Sequence, residues 1–206
     1  MHKEILSENQ INLLPLVKLF VREYYLVGGT AIGLHLGHRR SIDFDLFKFT
    51  GIKPKSITAK ISAFNYPYSI TRRVTEQMNI TIQNVKFTFY EYPFNVDAPC
   101  RFEGYLRLPE LIDLASMKAY ALGRRSKWKD YVDLYFILKN HYSIEQISAR
   151  AGEIFNQLFS EKLFRAQLSY FDDIDDSESI EYLLPAVPDD EIRKFLIEKA
   201  TDLSLE

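Results

Sequence analysis

Apolar and polar positions along this chain follow two different periods, and the change of period divides it. In residues 9–23, Ile11, Leu14, Leu16, Val17, Phe20 and Val21 recur at helical spacing, with Pro15 in an early turn or at a break. Residues 24–27 read as a short buried strand. Residues 30–36 read as a short helix with Thr30 near its N-terminus, 38–41 as a polar loop, and 42–47 as a second strand. After Pro54 a helix over 55–64 places Ile57, Ile61 and Phe64 on one side. Between 68 and 92 the period becomes two. Ile80 and Ile82 alternate with Thr81, Gln83-Asn84 forms a turn, and Val85, Phe87 and Phe89 alternate with Lys86, Thr88 and Tyr90, which is a hairpin. One more short strand is expected over 102–107.

At Pro109 the helical period returns. The first helix runs to Leu122, with Gly123 as its stop, and Glu110 and Asp113 complement its dipole. A second helix covers 127–139. A third starts at Ser143 and carries Ile144, Ile147, Ala151, Ile154 and Phe155. Residues 171–176, F-D-D-I-D-D, form an acidic loop, and a last helix covers 189–201. The pattern therefore predicts an α/β domain over 1–105 and a helical domain over 106–206.

The candidate chemistry is concentrated in residues 27–47, V-G-G-T-A-I-G-L-H-L-G-H-R-R-S-I-D-F-D-L-F. Alternate residues of a strand share a face, so Asp43 and Asp45 lie on one face and Phe44 and Leu46 on the other. Adjacent like charges repel, and burial sharpens the conflict. A divalent cation removes it. Mg²⁺ takes oxygen ligands, typically one or two carboxylates with substrate phosphates. Gly28 and Gly29 supply backbone that a phosphate can approach closely at a helix start. A glycine pair alone is more often a turn, and an Asp-x-Asp pair alone more often a solvated strand end. On one strand–turn–helix–strand frame they suggest metal-assisted nucleotide chemistry. His38 is read as structural, since no second His stands at ligand spacing.

Composition narrows the partners. The net charge is -2 and the pI about 6.1, so this is not a protein built to coat nucleic acid, and RNA would need a local basic patch. Cys100 is the single cysteine, which excludes an internal disulfide and a Cys-based zinc site and fits a reducing compartment. No apolar run reaches membrane-span length, and the N-terminus lacks a signal-peptide core, so a cytoplasmic protein is expected.

The glycine pair followed by a short helix and Asp-x-Asp resembles the nucleotidyltransferases of the DNA polymerase β type. In more detail, Gly28-Gly29-Thr30-Ala31, Leu36-Gly37-His38-Arg39, Ser41 and Asp43-x-Asp45-Leu46-Phe47 resemble the AbiEii/AbiGii toxin family of bacterial nucleotidyltransferases. A second block, residues 111–139, carries Lys118, Arg124 or Arg125, and Lys129-Asp130 at the family's kind of spacing. The resemblance implies an α+β fold: a polymerase β-like mixed sheet with flanking helices, followed by an α-helical domain. It implies a Mg²⁺-dependent enzyme, with Mn²⁺ as an alternative ion. The enzyme would move an NMP from an NTP to an RNA acceptor such as tRNA, as the toxin of a type IV toxin–antitoxin or abortive-infection pair with a cognate antitoxin.

On that reading Asp43 and Asp45 hold metal, and Gly28, Gly29, Thr30, Arg39, Lys118 and Arg124 bind nucleotide. Lys118 contacts phosphate, and Asp130 acts as a general base or as a structural partner of Arg124, a place Asp133 fills equally well. Arg40, Arg125, Lys127 and Lys129 add to a basic patch. The superfamily's third carboxylate is missing from the strand 85–90. Glu91 follows it, and is read as a solvated strand end. That gap keeps open a catalytically weak nucleotide-binding or interaction module. The general motif leaves room for a small-molecule nucleotidyltransferase.

Overall fold

The computed structural model describes residues 1–122 and 124–202. They form two compact units, Met1–Glu110 and Leu111–Glu206.

The first unit opens with a 3-10 turn, Lys3–Ile5, and α1, Glu8–Lys18. A capping box starts α1: the Gln10 amide donates to Ser7 Oγ at 3.2 Å, and the Ser7 amide to Gln10 Oε1 at 3.0 Å. Pro15 lies inside α1 and not in an early turn. It removes one ladder donor, and the helix ends within a turn, at Lys18. There follow β1 (Tyr25–Val27), α2 (Gly28–Leu36), β2 (Phe44–Lys48), α3 (Pro54–Ser62), β3 (Tyr68–Arg73), β4 (Gln77–Ile82), β5 (Val85–Glu91), β6 (Cys100–Phe102) and β7 (Leu106–Leu108).

The main sheet has five strands in the order β1-β2-β5-β4-β3. β2 and β5 run parallel and every other neighbouring pair antiparallel, so the sheet is mixed. One face is the core. Leu26, Leu46, Phe89 and Met78 stand in one row across four strands, all buried. Phe44 packs on Phe87 in the next row, with ring centroids 5.2 Å apart. Burying each such ring contributes about 1.5–3 kcal/mol. Gln83 and Asn84 both take left-handed φ, 49° and 62°, the geometry a two-residue hairpin demands.

Two expectations need correction. The carboxylate strand begins at Phe44, not at 42: Ile42 is exposed, and the Asp43 carbonyl accepts a bond from Thr30 instead of joining a ladder. The single strand expected over 102–107 is a hairpin of β6 and β7, reversed through Glu103 and Gly104, both at positive φ. Each arm is three residues, too short for a readable period. Because β7 pairs with β6, the α/β unit runs on to Glu110, past the expected boundary at 105.

The second unit is helical: α4 (Leu111–Leu122), α5 (Trp128–Asn140), α6 (Ile144–Phe155), α7 (Glu161–Leu168) and α8 (Asp189–Thr201). Ser143 and Gln146 form a capping box on α6. α7 escapes the sequence pattern because only Phe164 and Leu168 of its eight residues are buried. α5 is buried on nearly every side, from Asp130 through Leu138. The expected stop of α4 at Gly123 lies outside the described residues. Among the described residues no helix is long and apolar enough to cross a membrane.

Candidate nucleotide and metal site

The Gly-Gly turn is built by what occupies the missing side chains. β1 ends at Val27, which pairs with Asp45 of β2, and α2 begins at the next residue. Gly28 has φ +71°, and a Cβ there would meet Asp45 Oδ2 at 2.5 Å. A Cβ on Gly29 would meet Arg39 Nη2 at 2.7 Å and Ser41 Oγ at 3.0 Å. The pair therefore lets a carboxylate, a guanidinium and a hydroxyl converge on a helix start. The N-cap residue of α2 is Val27, whose side chain makes no capping bond. Thr30 Oγ1 lies 3.0 Å from Ser41 Oγ and donates to the Asp43 carbonyl at 2.5 Å, which fastens the loop ahead of β2 to the helix.

These residues answer the sequence expectations unevenly. Gly28, Gly29, Thr30, Arg39, Ser41, Asp43 and Asp45 come together. Asp45 is half-buried on the sheet face opposite the core, and Asp43 is half-buried just ahead of the strand. Thr30 and Arg39 are buried, and their polar groups reach the 40–43 backbone: Arg39 Nη1 donates to the Arg40 carbonyl at 3.0 Å. Both are wedged against the turn, not displayed above it. His38 is fully buried, as a structural histidine is.

Glu91 is placed by register. It pairs with Lys48, three residues after Asp45, so it lies on the opposite face of the sheet. It does not complete a site with Asp45. The residue beside Asp45 on β5 is Thr88, on the same face. Among the described residues no group of three or more His, Cys, Asp or Glu is placed to hold a metal ion.

The second block forms a closed charge cluster inside the helical unit. Lys118 Nζ donates to Asp130 Oδ1 and, at 2.9 Å, to Asp133 Oδ2. Arg125 Nε reaches Asp130 Oδ2 at 2.9 Å. All but Arg125 are buried. Two cations face two carboxylates, so the cluster is neutral. The partner of Asp130 is Arg125 and not Arg124: Arg124 turns back over the Tyr120 ring, 3.5 Å from its centroid, and donates to the Tyr120 carbonyl. The sequence points to Arg124 as that partner, and the turn after α4 gives the place to Arg125 instead. Lys127 and Lys129 are engaged as well. Both bind Glu178, at 2.5 and 2.9 Å, and hold its carboxyl down to about 2. The acidic segment is strapped beside α5 by backbone bonds, Trp128 N–H to the Asp175 carbonyl and Asp175 N–H to the Ser126 carbonyl.

A mixed sheet whose second strand carries Asp45, with Asp43 just ahead of it, beside a glycine turn and short helix defines a polymerase β-like nucleotidyltransferase fold. The model of the nucleotidyl transferase AbiEii toxin family, of type IV toxin–antitoxin systems, matches residues 18–203, and the chain belongs to that family. A curated relative, the uncharacterized protein aq_aa25 of Aquifex aeolicus (strain VF5), is 30% identical over 126 residues. The match spans 58% of this chain and about three-fifths, 59%, of that protein's length. Among solved structures, MenT4, a nucleotidyltransferase toxin of Mycobacterium tuberculosis H37Rv, superposes with a TM-score of 0.62 at 11% identity, over 94% of this chain and 82% of that one. JHP933 of Helicobacter pylori gives 0.56 at 20% identity, over 95% and 91%. The antibiotic-resistance factor ANT(2'')-Ia gives 0.52 at 12% identity, over 70% and 90%. These three likenesses show the shared fold.

Proposed function

We propose that this protein transfers a nucleoside monophosphate from an NTP to a hydroxyl of an RNA acceptor such as tRNA. It would do so with Mg²⁺ held by Asp43 and Asp45, as the toxin of a pair with a cognate antitoxin. The observation that carries the reading is the Asp45 carboxylate packed over Gly28 at the start of α2. In the transfer, the acceptor oxygen bonds to the α-phosphorus, the bond to the β-phosphate oxygen breaks, and pyrophosphate leaves.

The donor set suits Mg²⁺. Two half-buried carboxylates, hard oxygen ligands, stand beside a helix start that favours phosphate. With Thr88 in place of a third acid, the remaining ligands must come from the triphosphate and water. The ion when bound neutralises phosphate charge and lowers the cost of expelling pyrophosphate. The chain's own part is positioning. The N–H groups of residues 28–30 bind phosphate oxygens, and Arg39 stiffens the turn from beneath. Asp130 enters the proposal as a carboxylate whose orientation Lys118 and Arg125 fix.

Thr88 favours a second reading, a nucleotide-binding module with weak catalysis. Incubation with each labelled NTP, Mg²⁺ and total RNA separates the two. Label in RNA supports transfer, whereas bound NTP with no labelled product supports the module. Label on small molecules alone would reject the RNA acceptor.

A further inference from the structure

The open face of the main sheet carries an ordered row that leads away from Asp45. Asp45 pairs with Thr88 on β5, Thr88 with Asn79 on β4, and Asn79 with Arg72 on the edge strand β3. Directly paired residues share a face, so these four side chains stand side by side. The next row, toward the end where Asp43 enters β2, is Lys86, Thr81 and Ser69. On β3–β5 these rows hold two cations and four neutral hydrogen-bonding groups. Arg72, Ser69 and Lys86 are exposed.

Arg72 is in the row because of an irregularity. The β3–β4 register shifts between Ile70 and Arg72, leaving Thr71 as an extra residue. Without it, Thr71 would face Asn79, and Arg72 would face Met78 on the core side. Bulges of this kind re-aim a side chain, and they cluster beside active sites. Here the bulge moves one guanidinium onto the face of Asp45, about 14 Å away at three strand spacings of ~4.8 Å.

We propose that this face is the acceptor track: single-stranded RNA lies across β5, β4 and β3 with its reacting end at Asp45, and Arg72 and Lys86 bind its phosphates. Charge complementarity selects the occupant. The chain's overall charge is -2, so a polyanion must be met by a local set of cations, and this set adjoins the proposed metal ligands. Asn79, Thr81 and Ser69 add donors and acceptors for sugar and base edges. Only the placement of the reacting hydroxyl rests on the transfer reading above.

The test is fluorescence-anisotropy binding of a labelled unstructured RNA 3′ end across a salt series, for the wild type, Arg72→Ala, Lys86→Ala and a deletion of Thr71. Arg72→Ala should weaken binding about tenfold, the scale of one charge-assisted hydrogen bond. It should also lower the salt slope by about 0.7, one phosphate's share on a single strand. The Thr71 deletion removes the bulge but keeps Arg72 opposite Asn79, so it should bind RNA as the wild type does, and Lys86→Ala should act in the same direction as Arg72→Ala. Calorimetry should find NTP affinity unchanged in Arg72→Ala. Equal RNA affinity and slope in Arg72→Ala and wild type would overturn the track. So would a wild type that binds no RNA, or one that uses this face for a protein partner instead. Loss of NTP binding by the wild type would refute the transfer reading and leave the RNA result standing on its own.

Discussion

Two pairs of carboxylates, Asp43 with Asp45 and Asp130 with Asp133, sit in different surroundings. Asp43 and Asp45 are half-buried at the open face of a sheet, beside a turn whose glycines leave room for a carboxylate and a guanidinium. Asp130 and Asp133 are buried, and Lys118 and Arg125 already balance their charge. The first pair stands half-exposed, while the second is buried among the helices with Lys118. On the function proposed above, the sheet pair would hold the metal and the helical cluster would orient Asp130.

The largest expected effect belongs to the open pair. Asp45→Asn should cut NMP transfer by about 10²–10³, the scale of removing one preorganised electrostatic group. Asp45 lies half-buried on the sheet face opposite the core, so the variant should still melt as a folded protein. A rate assay with a melting curve reads both, and wild-type transfer would break the comparison at once. Gly28→Ala should come close behind with Asp45 intact. The left-handed φ costs about 1–2 kcal/mol, and the new methyl displaces the carboxylate. A variant that is active and fully stable would show that the turn does not depend on that close approach.

For the closed cluster the order of effects reverses. Lys118→Met should destabilise the fold by about 3–5 kcal/mol in urea unfolding, because it strands two buried carboxylates. From the sequence alone, loss of this lysine is expected to weaken nucleotide binding far more than stability, and burial changes that expectation. Adding Asp133→Asn to Lys118→Met should restore part of the stability. No recovery would mean that Lys118 does not act through its charge.

The smallest effect is at Glu178. Lysine contacts depress its carboxyl from an ordinary value of 4.5 to about 2. Its contribution is therefore complete above about pH 4.5 and is lost as pH falls through about 2. The side chain is half exposed, so solvent screens the pair strongly. Hydrogen exchange at the Trp128 and Asp175 amides should quicken over that window in the wild type and be quick throughout in Glu178→Gln. A flat profile in the wild type would separate the strap from its lysines.

Much of this was legible before any coordinates. The last helix, the Gln83-Asn84 hairpin and the sheet face of Asp45 follow from period and turn chemistry, because each depends on neighbours in sequence, whereas Asp43, expected on the same strand face, stands ahead of the strand. What was hidden depends on partners far along the chain. Glu91 reads as a solvated strand end, but that Thr88 is the residue beside Asp45 appears only with the pairing of β2 and β5. Arg39 reads as a phosphate ligand until Gly29 is seen to make room for it below the turn. Lys118 reads as a phosphate contact, since helical spacing cannot show that two aspartates of another helix close over it. The bulge at Thr71, which aims Arg72, carries no local signal in a strand of mixed polar residues.

The central claim is that Asp43 and Asp45 hold the metal of a bound nucleotide at the Gly28–Gly29 turn. Isothermal titration of each NTP into wild type and Asp45→Asn, with Mg²⁺ and with EDTA, tests it directly. The account predicts that the wild type binds an NTP much more tightly with Mg²⁺ than with EDTA, and that Asp45→Asn binds weakly and equally in both. Nucleotide affinity in the wild type that ignores Mg²⁺, or a Mg²⁺ dependence that survives in Asp45→Asn, would contradict it.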